Sequence, residues 1–376
     1  MRTWAPVSAP FWPSWCAARS WCDPLIPVDE VRGRILDACP ALQPRPVALA
    51  DALGCVLAEV VVAGEDVPPF ANTAMDGYAV RAADTSGAPV ELAVVGTLAA
   101  GAEPSLALGP GQAVRIMTGA PLPVGADAVV MVERTRAADH GRTVTVAVAA
   151  AAGDHLRLPG SDLAAGQELF GPGTVLSPGH LGVLASVGRE VVMVVPRARV
   201  GVLSTGDELV AGGGPLRPGQ IRDSNRPTLV ALVAQAGCEP VDLGLVADDE
   251  ALLTAAVEQA VAGCDALVTS GGVSVGDFDY VKVVLDRLGD MSWWQVAVRP
   301  AKPLAFGLVG ATPVFGLPGN PVSSMVSFEL FARPALRRMM GHPVIDRPTV
   351  AAVADEGFPR RADGKLHLVR VVAAEG

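Results

Sequence analysis

Between Arg197 and Gly341, short apolar runs alternate with stretches of helical period, and few architectures tolerate that alternation. Val200 to Ser204 reads as a buried strand. Pro227 to Ala236 reads as a helix, with Leu229, Leu232 and Val233 on one face. A strand over Pro240–Val246, a helix over Glu250–Val261, a strand over Ala266–Ser270 and a helix over Tyr280–Leu288 follow. Two more strands, Leu304–Val309 and Pro313–Leu317, precede a last helix from Pro321 to Met340. Strands that are apolar throughout must be covered on both faces, and intervening helices supply the cover. Residues 197–341 are therefore expected to form an open, mostly parallel α/β sheet.

The rest of the chain has a different texture. From Val61 to Val148, runs such as Tyr78–Val80, Val90–Val95, Gln112–Met117, Ala128–Val132 and Thr143–Val146 are separated by turn residues, which predicts a β-rich domain over 61–148. Val28, Val31, Ile35 and Leu36 share one face of a helix, and a second helix is expected over Ala48–Val60. Residues 25–60 and 149–196 are grouped as a helical and linker domain, with a short helix over His180–Val187. Beyond Pro343, Thr349–Val353 and Lys365–Val372 flank Asp363-Gly364, a hairpin signal. Residues 342–376 are read as a partial C-terminal β domain, cut short. Residues 1–24, with Trp4, Trp12, Trp15 and Trp21 among prolines, are read as a disordered extension.

The net charge of −10 argues against a nucleic-acid or anionic-membrane surface. An anionic substrate then needs a local pocket of backbone amides and a few cations. Cys16, Cys22, Cys39, Cys55, Cys238 and Cys264 form no C-x-x-C pair, which fits free thiols in a reducing cytoplasm. The histidines have no metal-ligand spacing, and no apolar run reaches membrane-spanning length.

Chemistry concentrates where the expected strands end. Gly316-Leu-Pro318-Gly319-Asn320-Pro321 follows a strand and opens a helix. Asn320 suits the N-cap, Pro321 the first turn, and Gly319 a close backbone approach to an anion. An ordinary capped βα turn has the same composition. Thr269-Ser270-Gly271-Gly272-Val-Ser274 continues to Asp277 and Asp279, offering small residues for a phosphate or pterin edge and acids for a divalent cation. Asp207 and Glu208 follow the first strand, and Asp248 and Asp249 the second; a helix cap is the plainer role for Asp249 or Asp277. Acids gathered on one rim repel unless a cation compensates. Arg299 and Lys302 supply positive charge on a further loop. Asp76, Thr118 and Asp162 sit in turns.

As a set, the runs PPFANTAMDGYAV, RIMTGAPLP, GSD, STGDEL, IRDSNRPTL, DLGLVADD, TSGGVSVGDFDYVK, VRPAKPLAFG and GLPGNPVSS resemble the molybdopterin molybdenumtransferase family, which includes the C-terminal domain of gephyrin. The resemblance spans about Leu25 to Gly376. It implies an α/β and β multidomain fold: a molybdopterin-binding type of α/β sheet, a β-rich domain, a helical/linker domain and a truncated C-terminal β domain. It implies adenylylated molybdopterin and molybdate as substrates, Mg²⁺ as cofactor, and a cytoplasmic homodimer with a composite active site. Carried over by position, Asp162, Glu208, Asp248 and Asp279 match catalytic-cleft acids, with Glu208 and Asp279 holding Mg²⁺. Substrate contacts fall on Asp76, Thr118, Ser270, Gly271, Gly272, Ser274, Arg299, Lys302, Pro318, Gly319, Asn320 and Pro321. Ala71 stands where many members carry Asp, and Gln295 where some carry Lys. The readings weighed against molybdenum insertion are a molybdopterin adenylyltransferase-like enzyme and a non-catalytic, gephyrin-like scaffold.

Overall fold

A computed structural model describes residues 25–103, 105–272, 280–357 and 362–372. The chain divides into two compact units. Residues up to Gln43 join those from Val195 onward, and Pro44–Val194 form the other.

In the first unit, helix α1 (Val28–Ala38) is followed by β1 (Arg199–Thr205), α2 (Asn225–Gln235), β2 (Glu239–Val246), α3 (Glu250–Gly263) and β3 (Ala266–Ser270). Then come α4 (Tyr280–Leu288), β4 (Asp290–Gln295), β5 (Pro303–Val309), β6 (Thr312–Leu317) and α5 (Pro321–Ser327). The last helix runs on through a π turn, Phe328–Ala332, into α6 (Arg333–Met339). The six strands form one sheet in the order β2-β1-β3-β6-β5-β4. Pairings β2/β1, β1/β3 and β3/β6 are parallel, whereas β6/β5 and β5/β4 are antiparallel.

Strands β1, β3, β5 and β6 are buried on both sides, as their unbroken apolar runs require. Alternate residues Val200, Val202, Val268, Phe306 and Phe315 face a core shared with Leu229, Val233, Phe328 and Leu336. The opposite set, Leu203, Leu267 and Val314, packs on Leu253 and Val257 of α3 and on Val281, Val284 and Leu285 of α4. Each such large apolar side chain contributes about 1.5–3 kcal/mol on burial.

The expected mostly parallel sheet is thus a mixed one. Residues Gly310 and Ala311 alone connect β5 to β6, with Gly310 at φ +62°. A link that short makes a hairpin, because a parallel return needs a long crossover. Strand β4 escaped the sequence reading: its Asp, Ser and Gln give no apolar run, and it lies at the sheet edge. Helix α1, grouped by sequence with 149–196, puts Val31 and Ile35 into the core of the α/β unit.

The second unit holds a six-stranded sheet in the order Ala128–Met131, Gly77–Val80, Gln112–Ile116, Val90–Leu98, Thr143–Val146, Thr135–Ala138. Five of these are the expected strands. The helix expected over Ala48–Val60 is absent. Arg45–Ala48 and Val56–Leu57 are strands flanking Val191–Val195, with a single 3₁₀ turn at Leu49–Asp51. The β-branched Val47, Val56, Val60 and Val61 favour extended backbone, and Gly54 at φ +77° makes a turn where a helix would continue. The helix Pro178–Ser186 forms, opened by a capping box between Ser177 and His180.

The expected C-terminal hairpin does not form. Thr349–Val353 is not a strand, and among the described residues beyond Gly364 only Leu366–His367 pairs, in parallel, with Val298–Arg299. Val350, Val353, Val371 and Val372 are all at least 71% exposed. A pair of strands gains little without an apolar layer to cover it.

Candidate active site

Parallel pairing sends the ends of β2, β1, β3 and β6 to one rim. In register, Thr205 lies beside Val246, Ser204 beside Ser270, and Ser270 beside Leu317. The turns after these residues therefore converge: Gly206-Asp207-Glu208, Ala247-Asp248, Gly271-Gly272 and Pro318-Gly319-Asn320. Strand β5 runs the other way, with Ala305 opposite Gly316. Its leading residues, and the connection carrying Arg299 and Lys302, therefore leave the sheet at the same rim. Both cations are exposed.

Hydrogen bonds fix the acidic side of the rim. The Thr205 hydroxyl donates to Asp248 Oδ1 at 2.6 Å. The amide of Asp207 donates to Asp248 Oδ2 at 3.4 Å, and the amide of Asp248 donates to Asp207 Oδ1 at 3.2 Å. The turns after β1 and β2 thus bracket each other, with both Asp248 oxygens and one Asp207 oxygen accepting internal hydrogen bonds. Glu208 is exposed, and its carboxylate folds over Gly206, where a Cβ would stand 2.7 Å from Glu208 Oε2. Asp249 has the plainer role of capping α3, accepting from the amides of Ala251 and Leu252.

The glycine-rich side is close-packed. Gly271 has φ +98°, and a Cβ there would stand 2.6 Å from the Thr205 carbonyl oxygen. Only glycine meets both conditions. A Cβ on Gly319 would come 4.0 Å from Gly271 Cα, so the two loops face each other across a narrow gap. Asn320 accepts from the amides of Val322 and Ser323 at 3.1 and 3.3 Å. It therefore caps its own helix, and those two amides, expected to serve an anion, are already taken. Pro321 opens the helix and Pro318 is buried behind the turn.

Sequence reasoning singled out neither Asn225 nor Asp223, although both lie in the run IRDSNRPTL. Asn225 Nδ2 donates to Ser270 Oγ and to the Gly319 carbonyl, each at 2.7 Å. Asp223, its side chain fully buried, accepts from Ser204 Oγ at 3.2 Å and from Arg226 Nε at 2.9 Å. A polar run at the mouth of a helix was the only signal for either residue. Ser274, Asp277 and Asp279 lie outside the described residues.

The remaining expected residues belong to the second unit. Asp76 Oδ1 accepts from the Thr118 amide at 2.6 Å and the Thr118 hydroxyl at 2.7 Å. Gly77 pairs with Ile116, so the two turns flank one antiparallel pair. The amide bond from Thr118, then its hydroxyl and the nearby Arg115, hold the Asp76 carboxyl below its ordinary range. Asp162 forms an ion pair with Arg157, a partner that sequence reasoning missed. Its amide donates to the Val67 carbonyl at 2.9 Å.

Among the described residues, no group of three or more His, Cys, Asp or Glu converges as a metal site. What the rim does offer is hard oxygen donors in ones and twos. Mg²⁺ accepts such a set when substrate phosphates complete its shell.

Two family patterns match the chain. The MoeA N-terminal region (domain I and II) matches residues 26–188, and a probable molybdopterin binding domain matches residues 201–338. Molybdopterin molybdenumtransferase 2 of Mycobacterium tuberculosis is 44% identical over 337 residues, covering 87% of this chain and 82% of the relative. Molybdopterin molybdenumtransferase of Haemophilus influenzae is 38% identical over 349 residues, covering 92% and 85%. Two crystal structures of a molybdopterin biosynthesis MoeA protein from Pyrococcus horikoshii align at TM-scores of 0.67 and 0.66. Their identities are 35% and 30%, over 85% and 86% of this chain and 81% of each of theirs.

Proposed function

The chain belongs to the molybdopterin molybdenumtransferase family, and from that premise we propose that it inserts molybdate into adenylylated molybdopterin, giving molybdenum cofactor and AMP. The observation that carries the reading is the shared rim. Glycine-rich turns after β3 and β6 lie across a narrow gap, beside the acids that follow β1 and β2.

The backbone at Ser270, Gly271 and Gly272 receives phosphate oxygens where side chains are absent, so the anion meets amide dipoles directly. Gly319 keeps the facing wall equally low, with Pro318, Asn320 and Pro321 holding its turn. Asp248 holds the turn of Asp207 and Glu208 against β1. Arg299 and Lys302 attract molybdate, a dianion that the net negative charge of the chain would otherwise repel. Asp76, Thr118, Asp162 and Ser274 belong to the same substrate-binding and catalytic set. Glu208 and Asp279 would hold Mg²⁺, which supplies charge neutralisation at the phosphoanhydride. No protein nucleophile is required, because the dithiolene sulfurs of the substrate become the ligands of molybdenum. The protein contributes positioning.

A homodimer with a composite site, working in the cytoplasm, belongs to this reading; the relatives' names support the enzyme class. Among the described residues, no helix is long and apolar enough to cross a membrane. The test is AMP release from adenylylated molybdopterin on adding molybdate. An adenylyltransferase would instead consume ATP and molybdopterin, and a scaffold would release no AMP. Either result would overturn the assignment.

A further inference from the structure

We propose that Asn225 is a positioning residue that aims the Ser270 hydroxyl at a phosphate oxygen of the substrate and locks the two glycine loops at their working separation. The inference rests on the reading given under Proposed function and assigns a role to a residue outside the expected site.

Asn225 is the first residue of α2, one position inside the N-cap Ser224, so its side chain is not committed to capping the helix. Its amide nitrogen reaches across to β3 and to the turn after β6, tying three elements together with two bonds of 2.7 Å. The Gly319 carbonyl can only accept, so the atom facing it must be Nδ2 and not Oδ1. That fixes the amide's orientation, and its second hydrogen points to Ser270 Oγ. Ser270 is therefore an acceptor toward Asn225, and its own proton must go elsewhere. Among the described residues no acceptor takes it, although Ser270 is 98% buried by its 2% residual exposure. A buried hydroxyl whose proton no described residue accepts, beside a glycine-rich turn, is placed to donate to an anion. The other bond cancels part of the negative charge of the Gly319 carbonyl, which would otherwise face the same anion. Both jobs need a two-donor amide. Aspartate, of the same shape, has no donor for either bond when ionised.

The experiment is equilibrium binding of adenylylated molybdopterin to the full chain and to the Asn225→Ala, Asn225→Asp, Ser270→Ala and doubly substituted Asn225→Ala/Ser270→Ala variants, with AMP release measured in parallel. Losing a hydrogen bond to a charged group weakens binding roughly tenfold to a hundredfold. Asn225→Ala is expected in that range, with Asn225→Asp weaker still. In the Ser270→Ala background, the Asn225→Ala change should add only about a threefold loss, a coupling that a merely structural residue would not show. Asn225→Asp is isosteric and serves where the alanine variant is unstable. Variants that bind like the unaltered chain, or an Asn225→Ala loss undiminished without Ser270, overturn the inference. If the unaltered chain releases AMP while the variants match it, only the role of Asn225 falls. If the unaltered chain neither binds the probe nor releases AMP, the functional reading falls and takes this inference with it.

Discussion

The Thr205 hydroxyl, at the end of β1, and the Asp248 carboxylate, in the turn after β2, are joined by a 2.6 Å hydrogen bond, and the Asp207 amide donates to the same carboxylate. Thr205 is 4% exposed, so its hydroxyl depends on that carboxylate. Asp248→Ala should strand a buried hydroxyl and lower stability by about 1–2 kcal/mol. Thr205→Val in the same background should recover part of the loss, because both polar partners are then gone. Urea denaturation decides it: equal midpoints for the single and double variants would mean that the stranded Thr205 hydroxyl costs nothing. AMP release should fall in both.

Gly271 meets two demands at once, a positive φ and a carbonyl 2.6 Å from the position of a Cβ. Gly271→Ala should destabilise the α/β unit by about 1–3 kcal/mol and displace β3 from β1. Gly310, also at positive φ but with nothing near its Cβ position, is the control. Gly310→Ala should lose less stability and keep AMP release, and comparison of the two midpoints separates conformational strain from collision.

Glu208→Gln and Asp279→Asn keep size and shape while removing charge. Each is expected to abolish most molybdate insertion and to raise the Mg²⁺ concentration needed for half-maximal rate, with the thermal midpoint nearly unchanged. Full turnover in both variants would remove them from the metal-binding role.

His342 is 7% exposed, and neither ring nitrogen has a hydrogen-bond partner among the described residues. Burial, aided by Arg337 and Arg333, pushes its pKa down from 6.5 to about 4. Between those values the unfolded chain binds a proton that the folded chain refuses. Stability from this group is therefore complete above pH 6.5 and declines as pH falls toward 4. The full effect is on the order of 3 kcal/mol. His342→Phe should flatten that part of the stability–pH curve; an unchanged slope would assign the acid sensitivity to other groups.

The α/β unit was legible because fully buried strands and amphipathic helices differ in period. Val200–Ser204 and Glu250–Val261 needed no tertiary information. Strand β4 and the Ala48–Val60 segment were not legible in this way. Strand β4 mixes Asp290, Ser292 and Gln295 with Met291, Trp293 and Trp294, so it carries no apolar run, and it pairs along the edge that β5 presents. The apolar residues of Ala48–Val60 were compatible with a helix until Val56 and Leu57 paired with a distant strand. At the site, glycines and acids at strand ends signalled themselves. Asn225 did not, because its importance lies in what a short amide can touch across three elements, and one-dimensional spacing carries no trace of that. The same limit hid Arg157 behind Asp162.

Strand β6 is the last of the six to leave the ribosome, yet it lies inside the sheet, flanked by β3 and β5. Until it inserts, Ser270 has no opposing wall and the amide of Asn225 has no Gly319 carbonyl to hold. On the proposed function, the rim would therefore be incomplete until synthesis has passed Leu317 and the long-range pairing of β3 with β6 has formed.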